Sequence, residues 1–494
     1  MIVESPLTPS HPSWQPHDYQ KRGIRLLLSQ SAGGLFLDPG LGKTSICLAA
    51  LKILKAKGYV SKCLIVAPLR PMYKVWPDEI EKWEDFKDLT YAILHGNIKE
   101  HNVRSTADIY LINPEGILWL DGLPAADVPA FDCIIIDEST KFKDSTTKRF
   151  RILKKILPNV ARRWILTGTP VPNGISDLFG QIYILDAGRA LGRYITHFRM
   201  QYFERSGYNL YEWKPRVGAF DEIVEKISPL ILQLSADDYL AMPELKHLVI
   251  ETELPAESMV RYRSVEDDFL SIAESGNIIA SNAAVAGIKC RQLANGAVYD
   301  ENRNVIPIHD SKLEALESLL EELSGTPTLV MYEFQHDADR IMARLGKLPI
   351  FSSGLSRAKL DSLINDFNEG RTPILLGHPA SMGHGLNLQQ SCHHIIWFGI
   401  PWNLEHYDQA IARIYRQGQK SGTVFVYHIV AKDTLDERVL KVLGGKDRTQ
   451  QAVLGALGVS GARHTLVEPI GEVLRPSPDA EGQSSDRSGG NPNS

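Results

Sequence analysis

The stretch "GGLFLDPGLGKTSICLAA", residues 33–50, joins a short apolar run to a glycine-containing turn and then to a helical pattern. The order strand, turn and helix, with Gly-Lys-Thr at 42–44, is typical of a phosphate-binding P-loop, whose signature is G-x-x-x-x-G-K-[ST]. Leu37 stands where that signature has its first glycine. The stretch predicts a nucleotide site at the carboxyl end of a buried strand.

The glycines, the lysine and the threonine of this loop each have a predicted role in phosphate binding. Gly40 and Gly42 can adopt backbone angles that other residues avoid, so the loop can wrap an anion. The helix that follows directs its first amide N–H groups at phosphate. Lys43 is expected to contact the β- and γ-phosphates, and the Thr44 hydroxyl to hold Mg²⁺. A glycine-rich turn without a ligand is the alternative, and the motifs below disfavour it.

Apolar, β-branched runs alternate with helical patterns along the whole chain. Such runs are typical of parallel strands that are buried on both faces. The first half has four more of them, at 62–68, 108–113, 132–138 and 163–170. From residue 327 the alternation starts again, without a second P-loop. The sequence therefore predicts an α/β fold with two parallel-sheet domains, of which only the first has its own phosphate loop.

A second chemical motif, "IIIDEST" at 134–140, ends one of these strands. An acidic pair at the tip of a buried strand is costly unless a cation lies nearby. Asp137 would hold Mg²⁺ through water, and Glu138 would polarise the attacking water as a general base. A solvated strand end is the alternative, but a position about 95 residues after a P-loop favours catalysis. "ILTGTP" at 165–170 adds two hydroxyl groups at another strand tip.

The stretch "DQAIARIYRQGQ", 408–419, carries two arginines and a glutamine at helical intervals. Gln409, Arg413 and Arg416 are four and three residues apart, which predicts one face of a single helix. The planar guanidinium group suits phosphate oxygens and the charge that develops during phosphoryl transfer. A basic helix face in water is the alternative interpretation.

Taken together, these motifs resemble those of superfamily 2 helicases, specifically the Swi/Snf-like branch of DNA translocases with its phage-encoded members. That branch commonly has an acidic residue and Gly-Leu-Gly-Lys-Thr in its P-loop without the first glycine, which matches Leu37 and Asp38 here. The resemblance covers about residues 13–445. It implies two RecA-like lobes with ATP in the cleft between them, plus helical insertions.

The resemblance also implies roles for single residues. Gln20, in "HDYQKRG", matches the glutamine that reads the adenine edge. Asp38 and Gln409 match nucleotide-binding positions. Arg413 and Arg416 match the arginine fingers that the second lobe supplies across the cleft. All of these roles are expectations from the family.

Three further segments resemble those that touch the nucleic-acid backbone in this family. They are "VAPLRPMYKVWPDEIEKW" (66–83), "LINPEG" (111–116) and "ASMGHGLNLQQ" (380–390). The chain departs from the usual Asp-Glu-Ala-His core, because Ser139 and Thr140 take the last two positions. Asp137 and Glu138 keep the metal and base roles. The contacts by which the last two residues of this motif would communicate with later motifs are not predicted by the family pattern.

The composition of the chain excludes several classes of protein. The 494 residues carry a formal net charge of −5, so nucleic-acid binding must rely on local basic patches. Five scattered cysteines without a C-x-x-C pair argue against a zinc site or a disulfide framework, and fit a reducing cytoplasm. "CHH" at 392–394 is expected to be buried packing rather than a metal site. No run approaches the roughly 18 apolar residues of a membrane span.

We expect five segments in chain order. They are a flexible N-terminus at 1–12, a first lobe at 13–245 with a helical protrusion from about 175, a helical linker at 246–310, a second lobe at 311–465 and a disordered tail at 466–494. The tail is expected to be disordered because it is rich in Pro, Ser and Gly.

The functional expectation is an ATP- and Mg²⁺-dependent DNA helicase or translocase that moves along or remodels DNA, duplex or branched. We expect it in the cytoplasm of a bacterium or of a phage host, without membrane contact, and beside replication or recombination proteins. A DNA-binding scaffold with a vestigial ATPase, an RNA-directed helicase and a P-loop kinase are the alternatives.

Overall fold

The computed structural model of the chain describes residues 11–206, 212–274, 280–351, 355, 357–382 and 386–463. In this part of the chain, no helix combines the length and the apolar character that crossing a membrane requires. The predicted flexible residues 1–10 and the predicted disordered tail at 466–494 lie outside the described residues. So do Gly383, His384 and Gly385 of the stretch at 380–390.

The first lobe is built on a parallel sheet whose strands are buried on both faces, as the apolar runs predicted. Among the described residues this sheet has seven strands in the order β3-β4-β2-β5-β6-β1-β9. The strands of the lobe are β1 Ala32–Leu37, β2 Cys63–Val66, β3 Tyr91–Ile93, β4 Ile109–Ile112, β5 Cys133–Asp137, β6 Arg162–Thr167, the antiparallel pair β7 Phe203–Ser206 and β8 Glu212–Pro215, and β9 Ile231–Leu234.

Helices cover both faces of this sheet. They are α1 Asp18–Ser29, α2 Lys43–Ala56, α3 Trp76–Lys82, α4 Lys99–Asn102, α5 Gly116–Asp121, α6 Lys148–Ile156, α7 Leu178–Asp186, α8 Ile195–Tyr202 and α9 Ala219–Ile227. The two sheet faces pack into separate apolar clusters, one centred on Phe36 and Ile136 and the other on Leu35 and Ile135. Because β1, β5 and β6 lie side by side at the sheet centre, their carboxyl ends place the P-loop beside the acidic pair.

The second lobe repeats the architecture around a second parallel sheet, with the order β10-β17-β16-β13-β15-β14 in the described residues. Its strands are β10 Glu244–Thr252, β13 Thr328–Met331, β14 Ile350–Phe351, β15 Ile374–Gly377, β16 His394–Trp397 and β17 Thr423–Ala431, with a small hairpin of β11 Ala297–Tyr299 and β12 Val305–Pro307. The helices are α10 Ala256–Glu274, α11 Ala280–Asn295, α12 Ser311–Glu322, α13 Gln335–Leu345, α14 Arg357–Asn368, α15 Leu404–Ile411 and α16 Leu435–Arg463.

The predicted helical protrusion and linker contain the helices α7 to α11, but they also contain the strands β7 to β12, two of which belong to the main sheets. β9 falls inside the predicted helical protrusion and pairs in parallel with β1 of the first sheet. β10 covers the first residues of the predicted helical linker, and it pairs with β17 over nine residues of the second sheet. Only 235–243 separates these two strands, so the covalent connection between the sheets is a short segment rather than a long helical linker.

The last described helix, α16, joins the lobes a second time. Its first half packs Val439 and Leu443 into the core of the second lobe. Its second half buries Val453 and Leu457 among the apolar residues of the first lobe, on the face that includes Ile231 of β9. The two lobes are therefore held by the connector at one side and by α16 at the other.

Candidate active site between the lobes

The P-loop has the backbone that its glycines predicted. Gly40 and Gly42 have φ values of 94° and 76°, in the left-handed region that favours glycine. A Cβ on Gly42 would lie 2.5 Å from the Nε2 atom of Gln20, so a side chain at this position would collide with α1. Gly42 is also the residue just before α2, whose first amide groups open onto the loop.

Lys43 folds over this loop. Its Nζ atom donates hydrogen bonds to the carbonyl oxygens of Leu37 at 2.6 Å and Asp38 at 3.3 Å. Burial lowers the pKa of Lys43, while the carboxylates of Glu138, Asp137 and Asp38 act in the opposite direction. A partly buried ammonium beside carbonyl oxygens and carboxylates is well suited to receive phosphate oxygens.

The acidic pair lies at the end of β5, beside the P-loop. The Oδ2 atom of Asp137 accepts a hydrogen bond from the indole nitrogen of Trp76 at 2.9 Å. The Oε1 atom of Glu138 accepts from the hydroxyls of Thr140 at 3.2 Å and Thr167 at 3.3 Å. Thr167 is the last residue of β6, so one of the two hydroxyls of "ILTGTP" contacts the predicted base.

Oxygen donors suited to Mg²⁺ are present where the sequence predicted them. Thr44 begins the helix after the P-loop, and Asp137 ends β5, the strand that carries the acidic pair. Hydroxyl and carboxylate oxygens are hard ligands of the kind that Mg²⁺ prefers, with phosphate oxygens and water completing the shell. In the described part of the chain, no group of three or more His, Cys, Asp or Glu residues could hold a metal alone. Cys392 and His394 are buried, as the packing interpretation of "CHH" expected.

The departure from Asp-Glu-Ala-His has a structural replacement. The Ser139 hydroxyl donates to the amide oxygen of Gln181 at 2.7 Å. The amide nitrogen of the same Gln181 donates to the carbonyl oxygens of Pro170 at 2.6 Å and Asp177 at 2.9 Å. Gln181 on α7 therefore connects the acidic motif to the end of "ILTGTP", and it does so fully buried.

The second lobe places Arg413 near charges of the first lobe, although Arg413 and Arg416 do not lie on one helix as predicted. Helix α15 ends at Ile411, so Arg413 and Arg416 lie in the turns that follow it. Arg413 is only 6% exposed, and its Nε atom donates to the carbonyl oxygen of Gln409 at 2.7 Å. Burial and the like charges of Arg416 and Arg70 lower its pKa to about 9, and the charge of Glu138 opposes them. Arg413 therefore stays cationic at neutral pH, close to the predicted base.

The other predicted nucleotide residues have partners within the protein. One Asp38 oxygen accepts from the amide of Ala236 at 2.9 Å and from Ser235, which lie in the connector after β9. The amide of Gln20 lies between the N-terminus of α1 and the carbonyl oxygen of Leu41. The Arg416 guanidinium donates to the amide oxygen of Asn387. Asp38 thus contacts the connector, and Arg416 contacts a residue of its own lobe.

A polar groove of about 490 Å³ also lies between the lobes. Arg70 and Lys74 line it from the first lobe, and Asp361 and Asn387 from the second. Lys74 and Asp361 meet across it at 3.2 Å. Two of the stretches that line the groove, 66–83 and 380–390, were predicted to touch the nucleic-acid backbone, whereas the lining residues at 361–369, on and just after α14, were not singled out.

Several residues of the site were not singled out from the sequence. Trp76 and Thr167 lay within quoted motifs, but nothing in their spacing indicated which carboxylate they would contact. Lys141, Gln181 and Glu405 had no signal at all, because each acts through a contact with a distant part of the chain.

Comparisons with known proteins show the family to which the chain belongs. The chain matches the model of the SNF2-related domain over residues 19–278 and that of the helicase conserved C-terminal domain over residues 311–418. It is 38% identical to protein p41 of Acyrthosiphon pisum secondary endosymbiont phage 1, over 90% of this chain and 99% of that protein. It is 23% identical to the ATP-dependent helicase YqhH of Bacillus subtilis, over 90% of this chain and 81% of that protein.

Among solved structures, the chain is similar to the SWI2/SNF2 ATPase core of Sulfolobus solfataricus in complex with double-stranded DNA. The TM-score is 0.42 at 22% identity, over 92% of this chain and 96% of that one. The two family models together span both lobes and the cleft described above. The chain belongs to the Swi/Snf-like branch of superfamily 2 helicases, a family of ATP-dependent helicases and translocases.

Proposed function

We propose that this protein hydrolyses ATP in the cleft between its lobes and uses the resulting opening and closing to move along or remodel duplex or branched DNA. The observation that carries the proposal is the meeting of Lys43 and Glu138 with Arg413 from the opposite lobe, close enough for their charges to interact. A cleft that is completed only when two lobes meet converts a chemical cycle into a cycle of movement.

The phosphate and metal roles follow from the loop. Gly40, Gly42 and the start of α2 cradle the phosphates, and Lys43 leaves its carbonyl partners to contact the β- and γ-phosphates. Thr44 and Asp137 are the residues that hold Mg²⁺, with Trp76 orienting the Asp137 carboxylate. Bound Mg²⁺ neutralises phosphate charge during the transfer.

Glu138 is the proposed general base, because its carboxylate is oriented by two hydroxyl donors and lies next to Lys43. Arg413, with Arg416 beside it, stabilises the charge that builds on the γ-phosphate. Gln409 supports Arg413 through its carbonyl oxygen. Gln20 reads the adenine edge, for which its amide must exchange its present contact with Leu41.

DNA is the proposed partner of the groove lined by Arg70 and Lys74. Cationic and amide side chains suit a phosphate backbone and carry no base preference of their own. Contact with DNA would take Lys74 away from Asp361. We propose a bacterial or phage-host cytoplasm as the compartment, which the five buried free cysteines support, and replication or recombination proteins as partners.

The test is ATP turnover with no nucleic acid, single-stranded DNA, duplex DNA, forked DNA or RNA, for the wild type and for Lys43→Ala. We expect stimulation by DNA, and loss of turnover in Lys43→Ala without loss of folding. Strand displacement and tracking on the same duplexes distinguish unwinding from translocation. Stimulation by RNA alone would favour an RNA-directed helicase, and stable DNA binding without turnover in the wild type would favour a scaffold.

A further inference from the structure

A buried carboxylate of the second lobe, Glu405, contacts both catalytic halves of the cleft. Its Oε1 atom accepts a hydrogen bond from the Nζ atom of Lys141 in the first lobe at 3.0 Å. The same oxygen accepts from the amide nitrogen of Gln409, one turn further along α15, at 3.3 Å. The Glu405 side chain is 5% exposed, and that of Lys141 is 34% exposed. This is a partly buried ion pair between lobes, not a solvated surface pair.

On the first lobe, Lys141 is tied directly to the proposed base. Its backbone amide donates to the carbonyl oxygen of Glu138 at 3.0 Å, within the single helical turn that follows β5. Glu138 itself has φ 59° and ψ 63°, a backbone that the surrounding contacts must hold. A displacement of Lys141 therefore also displaces the backbone of Glu138.

On the second lobe, Gln409 is tied directly to the proposed arginine finger, because its carbonyl oxygen accepts from the Nε atom of Arg413. Asn403 caps the N-terminus of helix α15, because its side chain accepts hydrogen bonds from the backbone amides of Glu405 and His406. A chain of contacts thus runs from Glu138 through Lys141, Glu405 and Gln409 to Arg413, and the charge of Arg413 faces Glu138 again.

We propose that Glu405 is a positioning residue that links the base and the arginine finger when the lobes close. It touches neither nucleotide nor water in this role. When the lobes close, its carboxylate binds Lys141 and also holds the side chain of Gln409. Arg413, which binds the Gln409 carbonyl, is then aligned only when Glu138 is in place. The inference rests on the proposed roles of Glu138 and Arg413, and it adds a residue that the family motifs do not assign.

The first experiment separates positioning from binding. Glu405→Ala should lower the DNA-stimulated kcat by about 10- to 100-fold, the cost of a small misalignment of reacting groups. The dissociation constant of a fluorescent ATP analogue without DNA should stay within about two-fold, since Glu405 lies outside the phosphate loop. Glu317→Ala, which removes a surface partner of Arg344 in the same lobe, is the matched control and should leave kcat unchanged.

The second experiment tests the contact itself. Lys141→Glu and Glu405→Lys each place like charges face to face, and each should lower kcat. The double variant restores the ion pair in reverse, and the Gln409 amide can turn its oxygen towards the new ammonium group. Its kcat should exceed that of either single variant by about ten-fold, as expected for two residues in one interaction. The milder exchanges Glu405→Gln and Lys141→Ala, checked by thermal unfolding, carry the test if Glu405→Ala does not fold.

The outcomes are distinct. Normal DNA-stimulated kcat in Glu405→Ala, or a reversed pair no better than its single variants, would overturn the positioning role. Weaker ATP binding with normal kcat would make Glu405 a binding residue and overturn it as well. Normal turnover in Glu138→Gln or Arg413→Ala would instead refute the proposed active site, whatever the result at position 405.

Discussion

Glu138 shows how the site is built at the scale of single residues. Its left-handed backbone is a conformation that costs a non-glycine residue on the order of 1–3 kcal/mol. The local contacts that hold it come from side chains. Thr140 and Thr167 donate hydrogen bonds to its carboxylate, and Ser139, the next residue, donates one to Gln181. The serine and threonine that depart from the usual motif are thus the residues that orient the base and join it to the neighbouring strand tip.

Asp408, next to Gln409, gives a pH-dependent prediction at the same scale. Burial, with the charge of Asp447, raises its pKa to about 8 from a usual 3.8, and only the Gln450 hydrogen bond acts against this among the nearest groups. Because the pKa is higher in the folded protein, the folded state binds more protons between about pH 4 and 8, and stability falls as pH rises through that range.

Asp408→Asn removes this ionisation and can keep the hydrogen bond from Gln450. We expect the variant to be more stable than the wild type at pH 8.5 by several kcal/mol, about 1.4 kcal/mol for each of the roughly four pKa units, and by only about 1 kcal/mol at pH 4.5. Urea unfolding at both pH values measures this. An equal difference at both would mean that packing, and not ionisation, decides the effect.

At the scale of secondary-structure elements, α16 is a 29-residue helix that joins both lobes and contains Gly444 and Gly445 between its two buried halves. Neither glycine has a neighbouring atom within 4 Å of the position that a Cβ would occupy. Alanine therefore fits at both sites, and it favours the helix by about 1 kcal/mol per residue in an exposed interior position.

Gly444→Ala/Gly445→Ala should therefore raise the temperature of thermal unfolding by a few degrees, measured by calorimetry. Gly34→Ala is the opposite control, because its Cβ would lie 2.4 Å from Ile231 where β1 meets β9, and it should lower that temperature. If stiffening α16 also lowers DNA-stimulated turnover, the helix bends at the glycine pair during the cycle. A lower unfolding temperature for the double alanine variant would contradict the open environment of these glycines.

At the scale of the whole molecule, the proposed active site lies where the lobes meet. Lobe one would supply Lys43 and Glu138 and lobe two Arg413, while the ion pairs Lys74–Asp361 and Lys141–Glu405 join the lobes. The connector 235–243 keeps the lobes together, and it is bound to the P-loop through Asp38. We therefore expect the proposed nucleotide site, the connector and the groove lined by Arg70 and Lys74 to move together.

Glu138→Gln tests this linkage. The amide keeps the size of the side chain but cannot activate water, so hydrolysis should fall by about 10²- to 10⁴-fold while Mg·ATP still binds. DNA affinity should then change with Mg·ATP and stay changed, whereas the wild type cycles. The measurement is fluorescence anisotropy of labelled duplex DNA with and without Mg·ATP across a salt series, in which affinity should weaken as salt displaces the phosphate contacts. Unchanged DNA affinity with ATP demonstrably bound would mean that the lobes are not coupled.

By itself, the sequence determined the chemistry and most of the framework. The P-loop, the acidic pair at 137–138 and the central apolar strands of both lobes follow from patterns a few residues long, because glycine conformation, charge burial and strand periodicity are local properties. The roles of the two arginines stay predictions, and the single helix face from which they were argued is not formed, because α15 ends at Ile411.

Tertiary structure decided the rest. The short runs of β9 and β10 are strands only because β1 and β17 offer them an open sheet edge, which no local pattern reveals. Helix α15 ends before Arg413, where the chain turns and buries that guanidinium within reach of the charges of Arg70 and Glu138 of the other lobe. Gln181 and Glu405 received their roles from partners 42 and 264 residues away, Ser139 and Lys141. Contacts between residues so far apart depend on how two sheets pack and two lobes meet, and that is a property of the fold as a whole.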